Sequence, residues 1–157
     1  EAGKLMTANL DLKEDDLAKA EAAAMAVKPG ADDDLQQRHE DLLVAIGATH
    51  MTAKKFVDAN RVLGEAQKRY PDSPAVDYIA ARIQQEQGKH REALAVLEQV
   101  LVKIPQPHVH YRIGKSLQAM GEKARATTAF EKALSFKAGL AKTQRADAEE
   151  QLKVLRS

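Results

Sequence analysis

The sequence contains no cysteine and no tryptophan. Without cysteine the chain can form no disulfide, no thiolate nucleophile and no zinc site with cysteine ligands. Aromatic residues make up only 4% of the chain, although 44% of its residues are hydrophobic. The core is therefore expected to consist mainly of Ala, Leu, Val and Ile. Alanine also has the highest helix propensity, and its small side chain suits helices in close contact.

The chain also lacks an excess of charge of one sign and a long apolar run. Its net charge is +1, from 24 basic and 23 acidic residues. Proteins that bind nucleic acid or membrane surfaces through overall charge need a basic excess, so neither is expected, although a local basic patch stays open. No apolar stretch approaches the ~20 residues that cross a bilayer, so no direct membrane insertion is expected. The chain starts at Glu1 without a signal peptide, and we expect a mature or excised piece.

Small residues and prolines recur at an interval of about 34 residues. Ala59 and Ala93 are 34 residues apart, as are Pro71 and Pro105, and Ala126 follows Ala93 by 33. A period of this length predicts a stacked array of helical units rather than a single layered core. Such arrays rarely perform chemistry, and we expect this one to present a concave surface to a partner.

Apolar residues follow helical spacing, and neither strand alternation nor an Asn-Gly or Asp-Gly hairpin turn is found. The pattern predicts a single domain over residues 1–157. Its parts are a degenerate repeat at 1–34, helix-pair units at 35–73, 74–106 and 107–138, and a capping helix at 139–157.

Local signals predict where several helices begin and end. The aspartates at 32–34 precede an apolar position and are expected to cap a helix. Gly88 and Gly121 are expected to end the first helices of their units. The capping helix is expected to pack through one apolar stripe, which comprises Ala141, Ala148, Leu152 and Leu155.

Matching positions of the three units carry small or apolar side chains when Glu40, Pro74 and Pro107 are taken as position 1. In unit order, position 8 is Gly47, Ala81 and Gly114, and position 20 is Ala59, Ala93 and Ala126. Position 24 is Leu63, Leu97 and Phe130, and position 27 is Ala66, Val100 and Ala133. Position 32 is Pro71, Pro105 and Ala138. This pattern resembles the tetratricopeptide repeat (TPR) family. The resemblance implies an all-α, right-handed superhelical solenoid of antiparallel helix pairs with a C-terminal capping helix. Small residues are expected where the two helices of a unit cross.

The sequence departs from the family pattern at several positions. His50 and Gln84 replace the large apolar residue of position 11, and Asp77 and His110 stand at position 4. Ala138 replaces the last proline, as expected where an array ends. The alanine- and glutamine-rich composition is similar to the C-terminal part of long bacterial TPR proteins. It suggests a module of a larger envelope, export or exopolysaccharide assembly, in either the bacterial cytoplasm or the periplasm.

In the TPR family, positions 2, 5, 9 and 12 of the first helix of each unit line a concave groove. Carried over to the last two units, this predicts a partner-binding groove that comprises Tyr78, Arg82, Gln85, His108, Tyr111, Lys115 and Gln118. Tyrosine and arginine are enriched in binding hot spots, and the cations suit a peptide with an acidic or C-terminal carboxylate group. The alternative is that these are ordinary solvated positions with partly packed tyrosines.

The subclass that holds chaperone C-termini uses Lys and Asn at positions 5 and 9 of an early unit. This chain has Val44 and Ala48 there, then Tyr78 and Arg82, so an Hsp70 or Hsp90 cochaperone role is not expected.

No pattern of catalytic, cofactor or metal-binding residues stands out. His108 and His110 are two residues apart on a predicted helix and therefore point in divergent directions. No nucleophile elbow, phosphate loop or metalloprotease motif occurs, so no enzyme activity, cofactor or metal is expected.

We therefore expect a non-enzymatic interaction scaffold that binds a protein or peptide. Two alternatives stay open. One is self-association into a homo-oligomer through an apolar end face with Leu5, Leu10 and Leu17, and the other is a structural spacer in a larger protein.

Overall fold

The computed structural model describes residues 14–27 and 32–157, and eight α-helices lie in these two ranges. In chain order they are α1 (Glu14–Met25), α2 (Asp33–Thr52), α3 (Phe56–Arg69), α4 (Pro74–Glu86), α5 (His90–Lys103), α6 (Pro107–Ala119), α7 (Lys123–Leu134) and α8 (Lys142–Arg156). No strand occurs in the ranges described. The predicted all-α helical-repeat fold is confirmed, whereas the grouping into one domain stays a prediction.

The chain divides into two compact units, one ending at Ile83 and the other beginning at Gln84, within α4. In the first unit, α1 packs on α2, and α2 packs on α3. Its buried core is almost entirely aliphatic, as the composition predicts; it comprises Leu17, Ala20, Ala24, Val27, Leu42, Leu43, Ile46, Met51, Ala59, Val62, Leu63, Ala66, Val76, Ile79 and Ile83.

In the second unit, α6 packs on both α5 and α7, and α8 covers α7 and part of α6. The only large aromatic side chain that is completely buried among the described residues is that of Phe130. The rest of the buried core of this unit is mainly aliphatic.

Glycines at repeat position 8 allow the two helices of a unit to come close. A Cβ atom added to Gly47 would lie 2.9 Å from the Leu63 side chain, and one added to Gly114 would lie 2.9 Å from the Phe130 ring. Protein interiors are close-packed, so a larger residue here would displace its neighbour. The predicted steric role of this position is therefore confirmed in α2 and α6.

The helix ends follow local sequence signals. The Asp32 carboxylate accepts a hydrogen bond from the Leu35 backbone N–H at 2.8 Å and caps α2 as predicted. Gly88 and Gly121 both have φ of +79°, a conformation that glycine adopts without the steric cost of a Cβ. At the equivalent turn of the preceding unit, Lys54 has φ of +60°.

The predicted capping helix is present as α8. Ala148 and Leu152 are buried, whereas Leu155 is half-buried and Ala141 is an exposed residue that precedes the helix. The apolar stripe is therefore shorter than predicted, because only two of its four residues are enclosed.

The first repeat and the end face are only partly described. Leu5 and Leu10 lie outside the described residues, as do 1–13 and 28–31 of the expected degenerate repeat. Leu17 is 6% exposed within the first core, so it adds no open apolar surface. Among the helices described, none is both long enough and apolar enough to span a membrane.

Candidate functional site

A cavity of about 330 Å³ lies between the end of α4, the start of α5 and one face of α6. Its volume falls within the range of about 300–1,000 Å³ that is typical of ligand sites. We call it the polar cavity, and its lining consists of Gln85, Glu86, His90, Arg112, Lys115, Gln118 and Ala119. Gln85, Lys115 and Gln118 belong to the groove predicted from the sequence, so the structure brings these three together.

Gln85 fixes the end of α4 against α6. Its Nε2 donates hydrogen bonds to the Arg112 backbone carbonyl and to the Ser116 hydroxyl, both at 2.7 Å. The side chain is therefore held in one orientation, and the second acceptor is buried, since Ser116 is 0% exposed. The amide oxygen of Gln85 is buried and has no hydrogen-bond partner among the described residues.

Arg112 lines the polar cavity although it was not predicted. Its guanidinium carbon lies 5.2 Å from the centroid of the Tyr111 ring, within cation–π range. The Nε atom of Arg112 is buried, as is Nδ1 of His90, and neither has a hydrogen-bond partner in the part of the chain described. The sequence did indicate that Arg112 could belong to the groove. Residues three apart lie on the same face of a helix, so Arg112 is expected beside the predicted groove residue Lys115.

Asp147 of α8 supplies a carboxylate to two predicted groove residues. Its Oδ2 accepts a hydrogen bond from the Tyr111 hydroxyl at 2.5 Å and lies 3.1 Å from Nζ of Lys115. Burial raises the pKa of Asp147, but the hydrogen bonds from Tyr111, Gln151 and Lys115, together with the Lys115 charge, outweigh this and lower it overall. The carboxylate therefore stays ionised well into the acidic range.

α8 also reaches the last predicted groove position. Gln118 donates a hydrogen bond to the Gln151 side-chain oxygen at 2.8 Å. The capping helix was predicted only to cover an apolar end. Its polar side chains also engage the α6 face that was assigned to a partner.

Tyr111 lies inside the second unit rather than on its surface. It is 6% exposed, and its ring centroid is 6.1 Å from that of Phe130. The structure gives Tyr111 a packing role, because its ring and its hydroxyl both contact residues of the same unit. The assignment of Tyr111 as a partner contact stays a prediction.

The remaining predicted residues, which are His108, Tyr78 and Arg82, do not line the polar cavity. His108 is half-buried near the start of α6, and burial followed by the Arg112 charge lowers its pKa, so it is neutral at pH 7. Tyr78 and Arg82 belong to the first unit, where Tyr78 packs against the apolar core. Their assignment to a groove stays a prediction. No cluster of three or more metal-ligating side chains occurs among the residues described.

Two solved structures have a similar fold. The crystal structure of PcrH from Pseudomonas aeruginosa has a TM-score of 0.68 and 17% identity, and the match covers 84% of this chain and 99% of that chain. The structure of PcrH in complex with the chaperone binding region of PopD has a TM-score of 0.64 and 18% identity, with coverage of 83% and 96%. At these identities the likeness concerns the fold alone. No curated protein matches the sequence.

Two models of the family described as Tetratricopeptide repeat match the chain, one over residues 50–121 and the other over residues 107–139. Together they span residues 50–139, more than half of the sequence, and they include Gly114 and the alanines at position 20, which are Ala59, Ala93 and Ala126. The chain is a member of the tetratricopeptide repeat family.

Proposed function

We propose that this chain is a non-enzymatic protein-interaction scaffold whose polar cavity binds a peptide segment with an acidic side chain or a terminal carboxylate. The observation that carries the proposal is the convergence of hydrogen-bond donors from α4, α5 and α6 on one cavity of ligand size. Arg112 and Lys115 contribute two cations, against the single carboxylate of Glu86 among the lining residues. Charge-assisted hydrogen bonds to a ligand carboxylate are stronger than those between neutral groups.

Unsatisfied polar atoms favour a polar ligand in the same place. The Gln85 amide oxygen, Arg112 Nε and His90 Nδ1 have no hydrogen-bond partner in the described chain. A buried polar group without a partner costs about 1–3 kcal/mol, so a ligand that pairs with one of these atoms gains from relieving that cost. The carbonyl and N–H groups of a peptide backbone supply both kinds of partner.

Lys115 is already partly neutralised by Asp147, whereas Arg112 has no carboxylate partner among the described residues. Arg112 presents a planar array of donors, which can bind a carboxylate through two parallel hydrogen bonds. We therefore assign the main ligand contact to Arg112 and a supporting role to Lys115.

The fold is compatible with peptide capture. PcrH, whose fold is similar, has been crystallised in complex with the chaperone binding region of PopD. The same architecture therefore accommodates a segment of another protein. Membership in a bacterial envelope or export assembly stays a prediction from composition.

A capture experiment with charge-matched variants tests the proposal. Extract from the source cells is passed over wild type, Arg112→Glu and Lys153→Glu, and retained proteins are identified by mass spectrometry. Lys153 is exposed on α8 and does not line the polar cavity, so it is a control for the change of charge. We expect a protein that wild type and Lys153→Glu retain and Arg112→Glu loses. Equal retention by all three, or none by wild type, would contradict the proposal.

A further inference from the structure

The second unit contains another cavity, of about 610 Å³, on a different face of α6. We call it the apolar groove. Its floor is formed by Ile113 and Leu117 of α6, and its walls by Leu101 of α5 and by Ala124 and Ala129 of α7. None of these residues lines the polar cavity, which uses Arg112, Lys115 and Gln118 of the same helix. One helix therefore contributes to two separate surfaces.

The sequence explains why this groove is open. Alanine at 124 and 129 leaves α7 without long side chains to fill the space above α6. Ala124 is exposed, and on α5 the side chain of Val102 is 84% exposed. Val102 lies one helical turn after Glu98, a residue of the groove wall, so it extends the apolar surface at that edge. Exposed apolar surface beside a cavity is typical of interaction sites.

The charges along the groove are unevenly distributed. Glu98 forms an ion pair with Arg125 at 3.3 Å, which links α5 to α7, and Arg125 also pairs with Glu122 at 3.2 Å, so two carboxylates share one cation at this end. At the other end, the Lys132 ammonium lies 5.7 Å from the centroid of the Phe136 ring, and among the residues described it has no carboxylate partner. Lys132 and Arg125 are seven residues apart on one helix, which corresponds to roughly 10 Å along its axis.

His110 lies at the same end of the groove but adds no positive charge at pH 7. It lines the groove beside Lys132, and its ring centroid is 5.9 Å from that of Phe136. Burial, followed by the Lys132 charge, lowers the pKa of His110. His110 is therefore neutral at pH 7, and Lys132 supplies the positive charge at this end of the groove.

We propose that the apolar groove is a second docking site, which binds a partner segment with aliphatic side chains over about 10 Å followed by a carboxylate. The aliphatic side chains lie over Ile113 and Leu117, and the carboxylate pairs with Lys132. The opposite orientation would place the carboxylate beside Glu98, so charge complementarity fixes the direction of the segment. This site is independent of the polar cavity and allows the unit to hold two segments at once.

A peptide selection followed by titration tests this proposal. Random peptides displayed on phage are selected on the full chain, after depletion of those that bind an Ala124→Trp variant, whose exposed substitution fills the groove. The selected peptides are synthesised and their affinities are measured by calorimetry. We expect aliphatic residues followed by Asp or Glu in their sequences. Lys132→Ala should weaken binding about tenfold or more, because it removes a charge-assisted hydrogen bond.

A control variant separates this result from general effects of charge. Lys123→Ala removes an equivalent charge from α7 outside the groove and should leave the affinity unchanged. Selected peptides without an acidic residue, or with unchanged affinity for Lys132→Ala, would overturn the proposal. Concentration-dependent dimerisation that Ala124→Trp abolishes would overturn it too, because the occupant would then be a second copy.

Discussion

A Cβ atom on Gly114 would lie 2.9 Å from the ring of Phe130, the completely buried aromatic side chain of the second unit. This single distance links the repeat pattern to the packing. Position 8 stays small because position 24 carries a ring that cannot move aside in a close-packed core.

Gly114→Ala is therefore expected to destabilise the protein, whereas Gly64→Ala is expected to stabilise it. Overpacking costs about 1–3 kcal/mol, and the higher helix propensity of alanine returns only part of this at Gly114. Gly64 lies within α3, and its added Cβ would meet nothing within 4 Å. Urea unfolding of both variants measures the free energies, and equal effects of the two substitutions would contradict this explanation.

Lys54→Gly is expected to raise the free energy of unfolding by about 0.5–1 kcal/mol. Lys54 has φ of +60° where the later units have glycine, and this conformation costs a residue with a Cβ about 1–2 kcal/mol. The greater freedom of glycine in the unfolded chain offsets part of the gain. Thermal unfolding tests the change, with Gly121→Ala as the reverse substitution, which should lower stability. A loss of stability in Lys54→Gly would contradict this prediction, because the Lys54 side chain would then stabilise the fold by more than its positive φ destabilises it.

Asp147→Asn is expected to lower stability by about 1 kcal/mol at pH 7, since it removes the charge that Tyr111 and Lys115 contact at a partly exposed site. The pKa of Asp147 is lowered in the folded state, so its contribution is present above the ordinary aspartate pKa. This stabilising contribution is lost as the pH falls through the lowered pKa of Asp147 in the folded state.

The difference between wild type and Asp147→Asn should therefore shrink on acidification from pH 7 to below about 4. Urea unfolding at both pH values measures it. Glu149→Gln removes the same charge from an exposed position on α8 and serves as the control. A difference that does not change with pH would mean that the Asp147 carboxylate adds no charge-dependent stability.

Tyr70→Phe is expected to destabilise the first unit by about 1–3 kcal/mol. His39 is 1% exposed; its Nε2 lies 2.8 Å from the Ala24 carbonyl oxygen, and its Nδ1 lies 2.7 Å from the Tyr70 hydroxyl. A carbonyl only accepts, so Nε2 carries the proton and Nδ1 accepts from Tyr70. Removing the hydroxyl leaves a buried acceptor without this partner. A loss below about 0.5 kcal/mol in urea unfolding would refute the assignment.

The fold could be predicted well from the sequence because the repeat pattern reflects steric limits between helices that are close together in the chain. Glycine and alanine recur where helices come close, and glycine or a capping aspartate occurs where they end, so spacing alone located α2 to α7. The apolar stripe of α8 was harder to predict, since Ala141 satisfies the periodicity but precedes the first turn.

The candidate site could be predicted only in part. The groove positions of the family apply to an average unit whose first helix is not covered by other helices. Here α8 follows the last unit, and Asp147 and Gln151 engage Tyr111, Lys115 and Gln118. Asp147 is 36 residues from Tyr111 in sequence, and nothing in the repeat indicated their contact. Arg112 was not predicted because it stands at position 6, beside Tyr111 at position 5, whereas the groove positions of the family are 2, 5, 9 and 12.

The most direct measurement is the dissociation constant of the captured partner segment for wild type, Arg112→Glu and Lys153→Glu, obtained by calorimetry. If the polar cavity holds an acidic peptide, Arg112→Glu should raise the dissociation constant at least tenfold, since an attractive contact becomes a repulsive one. Lys153→Glu should leave it unchanged. Equal dissociation constants for all three proteins would contradict the central claim that the polar cavity is the binding site.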